Sequence, residues 1–360
     1  MSTALFTPLQ LGDLQLPNRI VMAPLTRARA DRQHVPGSMM ATHYAQRASA
    51  GLLIAEATLV AAGTSAYATE PGIYNDAQVD GWRQVTDAVH HAGGRIALQV
   101  FHPGRVSKIA LNDGVQPVSA TDRAVRTEDG QALDTPRRLT AQELPRIVEQ
   151  FRHAFANARR AGFDAVEVHG AHGYLLDQFL RDGINDREDD YGGSLERRAR
   201  LLFEVVDAAI AELGAGRVGV RISPLNTFND ARDSHPRALV QYVAEQLTQR
   251  RVAFLELRHD RHDAVEDQAL ADIARRHFHG TLIRNGGYDR DSGEEAILDG
   301  SADAISYGKP FLANPDLAER LRRRAPLAEF DYSLLYTPGP RGYIDYPAHE
   351  PAVLDTPALA

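Results

Sequence analysis

The 360-residue chain contains no cysteine. That absence removes disulfides, thiolate nucleophiles, cysteine-ligated zinc and iron–sulfur clusters together. An excess of positive charge is also missing, since 40 Lys and Arg stand against 48 Asp and Glu for a net charge of -8. Binding to nucleic acid or to an anionic membrane draws on clustered cationic charge, so neither partner is expected. No apolar run reaches the roughly 18 residues a membrane-spanning helix requires. The opening MSTALFTPLQLGDLQLPN lacks the basic and apolar regions of an export signal, so a cytoplasmic protein is expected. What is present is a globular composition, 43% hydrophobic and 24% charged, which supplies a core and argues against disorder.

Eight short β-type runs recur along the chain: Ile20–Pro24, Leu52–Ala57, Ile96–Phe101, Ala165–His169, Val218–Ile222, Phe254–Arg258, Thr281–Asn285 and Ala304–Gly308. Near-continuous apolar runs of this kind suit strands buried on both faces of a parallel sheet. Helix-like stretches separate most of them. Thr140 with Glu143 forms a capping box, and Gly162 falls where that helix should stop. Ser194 opens an amphipathic run closed by Gly214, and Asn314–Pro315 reads as a cap with a first-turn proline. Eight such units predict an α/β fold, a (β/α)8 TIM barrel with an N-terminal β-hairpin, against an open doubly wound sheet as the alternative. The polar segment His102–Arg138 reads as an excursion over the barrel mouth between strands three and four, with the character of a lid. The barrel is expected as one unit over residues 1–350, with a loose tail at 351–360.

Chemistry in such a barrel sits at the C-terminal ends of the strands. Those ends read Thr26, Ala57, Gln99, His169, Arg221, Arg258, Asn285 and Gly308. A guanidinium at Arg221, inside a buried run, needs an anion: either an acidic side chain on a neighbouring strand or a ligand. His169-Gly-Ala-His172-Gly-Tyr174 leaves the fourth strand with two imidazoles three residues apart and a phenol beside them. The imidazoles suit a metal or a carbonyl oxygen, although the metalloprotease spacing is absent. The glycines in Asn285-Gly286-Gly287 and Gly308-Lys309 follow strands seven and eight, where backbone N–H groups often approach a phosphate. Arg258–Asp263 (RHDRHD) reads as a polar loop, His90-His91 as surface or helix-end residues, and Arg320–Arg324 as a solvated helix terminus.

The strings IVMAPLTRAR, YAQRASAGLLIAEAT, QVFHPGR, VEVHGAHGYLLDQFLRDGINDREDDYGGSLERRARL, VRISP, NGGY, YGKPFLANPDL and GYIDYP occur in this order. Together they resemble the old yellow enzyme family of FMN-dependent ene-reductases, with the bacterial branch of N-ethylmaleimide and pentaerythritol tetranitrate reductases as the nearest likeness. The resemblance implies a barrel binding FMN, reduced by NADPH or NADH, that acts on small-molecule activated alkenes as a monomer or homodimer. It implies that Pro24, Leu25, Thr26, Ala57 and Gln99 contact the flavin and that Arg221 lies by its N1 and C2 carbonyl. Asn285, Gly286, Gly287, Gly308 and Lys309 would hold the ribityl phosphate. His169 and His172 would grip the substrate oxygen, Tyr174 would deliver the proton, and Tyr67, Phe101 and Tyr336 would shape the cavity. Hydride would then pass from flavin N5 to the β-carbon of an α,β-unsaturated carbonyl or nitro compound. Three departures stand out: Lys309 where the family usually has arginine, Phe101 where many members have tryptophan, and RHDRHD after strand six.

Two other functions compete on the residues alone. A metal- or phosphosugar-dependent barrel lyase or isomerase would use the histidines as ligands, yet the strand ends listed above carry no carboxylate. A non-catalytic flavin binder would have no need of Tyr174 as a proton donor.

Overall fold

The computed structural model describes residues 4–127 and 129–349, so the expected tail at 351–360 lies outside the described residues. The chain opens with a hairpin, β1 (Leu9–Leu11) and β2 (Leu14–Leu16), paired antiparallel with Leu9 opposite Leu16. Every one of the eight apolar runs then becomes a strand: β3 (Ile20–Met22), β4 (Leu52–Leu59), β5 (Ile96–Phe101), and, after a two-residue pair β6 (Val118–Ser119) and β7 (Arg137–Arg138), β8 (Ala165–Gly170). The remaining four are β9 (Val218–Ile222), β10 (Phe254–Arg258), β11 (Thr281–Asn285) and β12 (Ala304–Tyr307). These eight pair in parallel, and β12 pairs with β3 to close the barrel.

Helices separate successive barrel strands. They are α1 (Ser38–Ala45), α2 (Asp76–His91), α3 (Leu144–Arg160), α4 (Leu175–Leu180), α5 (Leu195–Arg198), α6 (Arg200–Leu213), α7 (Pro236–Arg250), α8 (Val265–His277), α9 (Arg290–Leu298), α10 (Lys309–Ala313) and α11 (Leu317–Arg323). The Thr140–Glu143 capping box is present and leads into α3, and Gly162 follows that helix at φ +87°. The run from Ser194 is two helices rather than one. Arg198 is drawn inward to the Leu180 and Gly193 carbonyls, and the chain breaks at Ala199 before α6 resumes. Asn314–Pro315 does not cap α11, which starts after Asp316. The Asn314 side chain is buried and donates to the Pro310 and Ala328 carbonyls, tying α10 to the following loop. Arg320 also departs from the solvated reading: it is buried, ion-paired to Asp316 at 2.7 Å.

The barrel interior is filled from below. Leu9, Leu11, Leu14 and Leu16 of the hairpin pack on inward side chains including Leu52, Ile54, Ala97, Ala165, Phe254 and Ile283. Gly219 on β9 makes room for this plug, since a Cβ there would sit 2.1 Å from the Phe254 ring. The end beneath the plug is thereby closed, and the opposite, C-terminal end is left for chemistry. The 102–138 excursion lies against that mouth. Arg105 within it is buried and donates to the carbonyls of Arg123 and Asn229, at 3.3 and 3.0 Å. A C-terminal segment reaches the mouth from the other side, held by Arg27 on the Gly342 carbonyl (2.7 Å) and Arg29 on the Leu334 carbonyl (2.9 Å). Among the described residues no helix is long and apolar enough to cross a membrane.

Candidate active site

The residues singled out at the strand ends meet around one mouth. His169 on β8 is paired in register with Arg221 on β9, so strand pairing alone sets imidazole beside guanidinium. Arg221 donates to Asn285 Oδ1 on β11 at 3.1 Å, and Asn285 donates to the Ser306 carbonyl on β12 at 2.8 Å. Pro24, Leu25 and Thr26 follow β3, and Leu25 lies close to Gly308 at the end of β12. Ala57 sits within an irregular stretch of β4, and Gln99 and Phe101 point inward from β5.

The turn after β8 is built to present its side chains. His172 has φ +58°, a left-handed conformation unusual for a non-glycine residue. It is held there by its N–H on Ser223 Oγ (2.9 Å) and its carbonyl accepting from Asn229 (2.8 Å). Asp177 accepts the Gly173 N–H and is itself ion-paired to buried Arg181. The result sets the His169 and His172 rings 5.5 Å apart and nearly perpendicular, with the Tyr174 ring 5.1 Å from His169. Phe101 meets Tyr174 edge-on at 5.1 Å. Tyr67 and Tyr174 share a hydrogen bond between their hydroxyls at 3.2 Å, and the half-exposed Tyr336 ring stacks obliquely on Tyr67 at 5.7 Å. Ala57, Leu59, Phe101, Val106 and Tyr174 form the apolar wall of this chamber.

Burial and the nearby Arg221 cation hold His169 well below the ordinary imidazole value. His172 is depressed in the same way, with the His169 ring adding to the effect. Both imidazoles are therefore neutral at pH 7. The Tyr174 phenol is pushed well above its usual value by burial, then by the neighbouring Tyr67, so it keeps its proton. The anion that Arg221 needs is supplied in part from within: its Nε faces the Glu256 carboxylate on the neighbouring strand at 3.8 Å, too far for a hydrogen bond. His169 Nδ1, buried at the mouth, has no partner within the protein, and an orphaned polar atom of this kind calls for a ligand.

The glycine turn after β11 is braced more closely than the sequence suggested. Gly286 has φ +137° and Gly287 φ +75°, and a Cβ on Gly286 would lie 2.4 Å from the His259 carbonyl oxygen. The 258–263 segment is consequently more than a polar loop. His259 is fully buried between Asp267 (3.2 Å) and Arg284 (3.2 Å), and His262 meets the Gly286 carbonyl at 3.1 Å while stacking on Tyr288. Lys309 is exposed at the start of α10, its ammonium 5.4 Å from the Tyr332 ring centroid.

Sequence reading missed the layer beneath the mouth. Glu167, Glu256 and Ser306 are buried two residues below His169, Arg258 and Gly308. The alternation in VEVH and FLELR was the available signal, since residues two apart on a strand share a face. Among the described residues, no group of three or more His, Asp or Glu is arranged to hold a metal ion.

Residues 4–328 match the NADH:flavin oxidoreductase / NADH oxidase family. The chain belongs to that family. It is 46% identical over 352 residues to 12-oxophytodienoate reductase 1 of Oryza sativa subsp. japonica, covering 95% of this chain and 92% of that protein. Among solved structures, morphinone reductase in complex with tetrahydroNAD superposes with a TM-score of 0.92 at 44% identity, covering 97% of this chain and 98% of the other. The old yellow enzyme homologue from Zymomonas mobilis gives a TM-score of 0.92 at 41% identity, covering 96% and 100%. The family's cofactor is FMN and its reductant a nicotinamide dinucleotide. This member of the flavin oxidoreductases has groups that fit such a cofactor: a buried guanidinium at Arg221, an unpartnered imidazole nitrogen at His169, an inward amide at Gln99 and a glycine turn. Membership also displaces the lyase or isomerase alternative.

Proposed function

We propose that the protein is an FMN-dependent, NAD(P)H-driven ene-reductase that saturates activated C=C bonds in α,β-unsaturated carbonyl or nitro compounds. The observation that carries this reading is the convergence of two neutral imidazoles and a protonated phenol on one apolar chamber beside Arg221. Bound FMN supplies hydride for the substrate's β-carbon. His169 and His172 bind the carbonyl or nitro oxygen and stabilise the negative charge that develops on it, each well-placed donor contributing about 3 kcal/mol. Tyr174 hands its proton to the α-carbon, and its raised affinity for that proton keeps it loaded across the neutral range. Phe101, Tyr67 and Tyr336 confine the alkene and exclude water. Pro24, Leu25, Thr26, Ala57 and Gln99 hold the flavin ring, Arg221 its N1 and C2 edge, and Asn285, Gly286, Gly287, Gly308 and Lys309 its phosphate. The same proposal takes the enzyme to act in the cytoplasm on small molecules; its net charge of -8 argues against nucleic acid or an anionic membrane as a partner.

The test is an absorption spectrum of purified protein under argon. A flavin spectrum that bleaches with NADPH or NADH and returns on adding 2-cyclohexen-1-one is the expected result. A flavin-loaded protein that neither nucleotide reduces would overturn the assignment.

A further inference from the structure

Beneath the mouth, three ionisable side chains occupy the barrel interior. Glu167 on β8 and Glu256 on β10 flank Arg221, which comes from the strand between them. One oxygen of each carboxyl is accounted for: Glu167 Oε1 accepts from Gln99 Nε2 at 2.8 Å, and Glu256 Oε1 accepts from Ser306 Oγ at 2.5 Å. Arg221 Nε stands 3.8 Å from Glu256 Oε2. The other oxygens, Glu167 Oε2 and Glu256 Oε2, are buried without a partner.

Two carboxylates and one guanidinium leave a surplus negative charge in an interior that stabilises none. The two carboxyls stand on the strands either side of Arg221, fully buried, each with one oxygen that no donor reaches. Ionised carboxylates have no proton to donate, so two such groups side by side leave both oxygens orphaned. A single proton between them supplies the donor, accounts for both atoms and brings the cluster to neutrality. Burial, and then the Glu256 carboxyl itself, drive Glu167 toward the protonated form.

We propose that Glu167 and Glu256 share one proton, and that this pair sets the orientation of Gln99 and the net charge around Arg221 at the pyrimidine edge of bound FMN. The inference rests on the flavin placement proposed above. Its first consequence is directional: the Gln99 amide N–H₂ is committed downward to Glu167, leaving its carbonyl oxygen for a donor in the mouth. The second is electrostatic. Arg221 and the singly protonated pair cancel, so the edge is neutral rather than cationic. The other groups facing the pair are Gln99 from β5, Ser306 from β12, Asn285 from β11 through Arg221, and His169 above Glu167, which burial and Arg221 keep neutral. Neither glutamate touches substrate, so both are positioning residues.

Two measurements test this. Infrared spectroscopy of the FMN-free protein at pH 7 should show a buried protonated-carboxyl C=O band that is lost in Glu167→Gln. Its absence from wild type would overturn the shared proton, whether or not flavin binds. The midpoint potential of bound FMN is then compared across Glu167→Gln, Glu256→Gln and the double variant. Each single variant keeps one ionised carboxylate beside Arg221, so its potential at pH 7 should stay near wild type, whereas the double variant exposes a bare cation and its potential should rise. Single variants that each shift the potential about half as far as the double would mean two ionised carboxylates and refute the pair. A double variant unchanged from wild type would refute its influence on the flavin. Failure of the protein to take up FMN would sink the placement, while the infrared band would still decide the proton.

Discussion

Replacing Tyr174 by phenylalanine separates chemistry from folding by magnitude. The substitution deletes one hydroxyl and keeps the ring contacts to Phe101 and His169, both 5.1 Å away. Among the described residues, the only hydrogen bond lost is that to Tyr67 at 3.2 Å. Tyr67 is partly exposed and can turn to water, so the cost in stability is about 1 kcal/mol or less. A general acid acting in the transition state is worth about 10²–10⁴-fold in rate, some 3–5 kcal/mol. Anaerobic stopped-flow measurement of the two half-reactions should therefore find flavin reduction by NADPH within about twofold of wild type. Alkene-driven reoxidation should slow by about a hundredfold or more. The urea midpoint should scarcely move. An unchanged reoxidation rate would refute Tyr174 as the proton source. In the wild type, the raised proton affinity of Tyr174 predicts a reoxidation rate that stays flat as pH rises past the ordinary tyrosine value of ~10.

His169→Ala should weaken enone and phenol binding by about tenfold or more, read from charge-transfer titrations, and equal affinities would remove it from the oxygen-binding role. Lys309→Gln should loosen FMN about tenfold and flatten the salt dependence of its binding, measured by fluorescence of released flavin. His102 is buried with its Nδ1 accepting from the Gly104 N–H, and burial brings it down to about 4. The unfolded chain therefore binds more protons below ~6.5, and the stabilisation from keeping His102 neutral is complete above that value and lost as pH falls toward the folded pKa. Between pH 7 and 5 that loss is about 2 kcal/mol, so His102→Asn should forfeit about that much less than wild type in urea midpoints taken at the two pH values. Gly219→Ala would drive a methyl into the Phe254 ring and should cost about 1–3 kcal/mol. Phe254→Leu should relieve that clash, and an equal penalty in both backgrounds would show that the plug is not what Gly219 accommodates.

The strands were legible in the sequence because all eight are buried on both faces, and burial of that kind writes itself as an unbroken apolar run. The mouth residues were legible for a related reason: a polar side chain ending such a run stands out against it and needs a partner, as Arg221, His169 and Asn285 illustrate. Helix boundaries were less so. Asn314 and Pro315 carry a cap signature, yet tertiary hydrogen bonds to Pro310 and Ala328 claim the asparagine and move the start of α11 beyond Asp316. The role of 258–263 was hidden because it depends on a contact across sequence, the His259 carbonyl against Gly286. Local composition reported only a charged loop.

The buried glutamates mark a different boundary. A strand-end reading stops at the layer that touches ligands, but inward side chains recur every second residue, so each end residue stands on another of the same face. On β5 and β11 that lower residue is apolar and continues the plug, as Ala97 does beneath Gln99 and Ile283 beneath Asn285. On β8 and β10 it is a carboxyl, placed on either side of Arg221. An apolar interior tolerates such groups only if their charges and hydrogen bonds close on each other, and here closure requires a proton that sequence and strand pairing leave to be inferred. Arg221 alone is a fixed positive charge. With a singly protonated pair beneath it the same edge is neutral, and each single Gln variant should leave the flavin potential near wild type, where two ionised carboxylates would make each of them shift it.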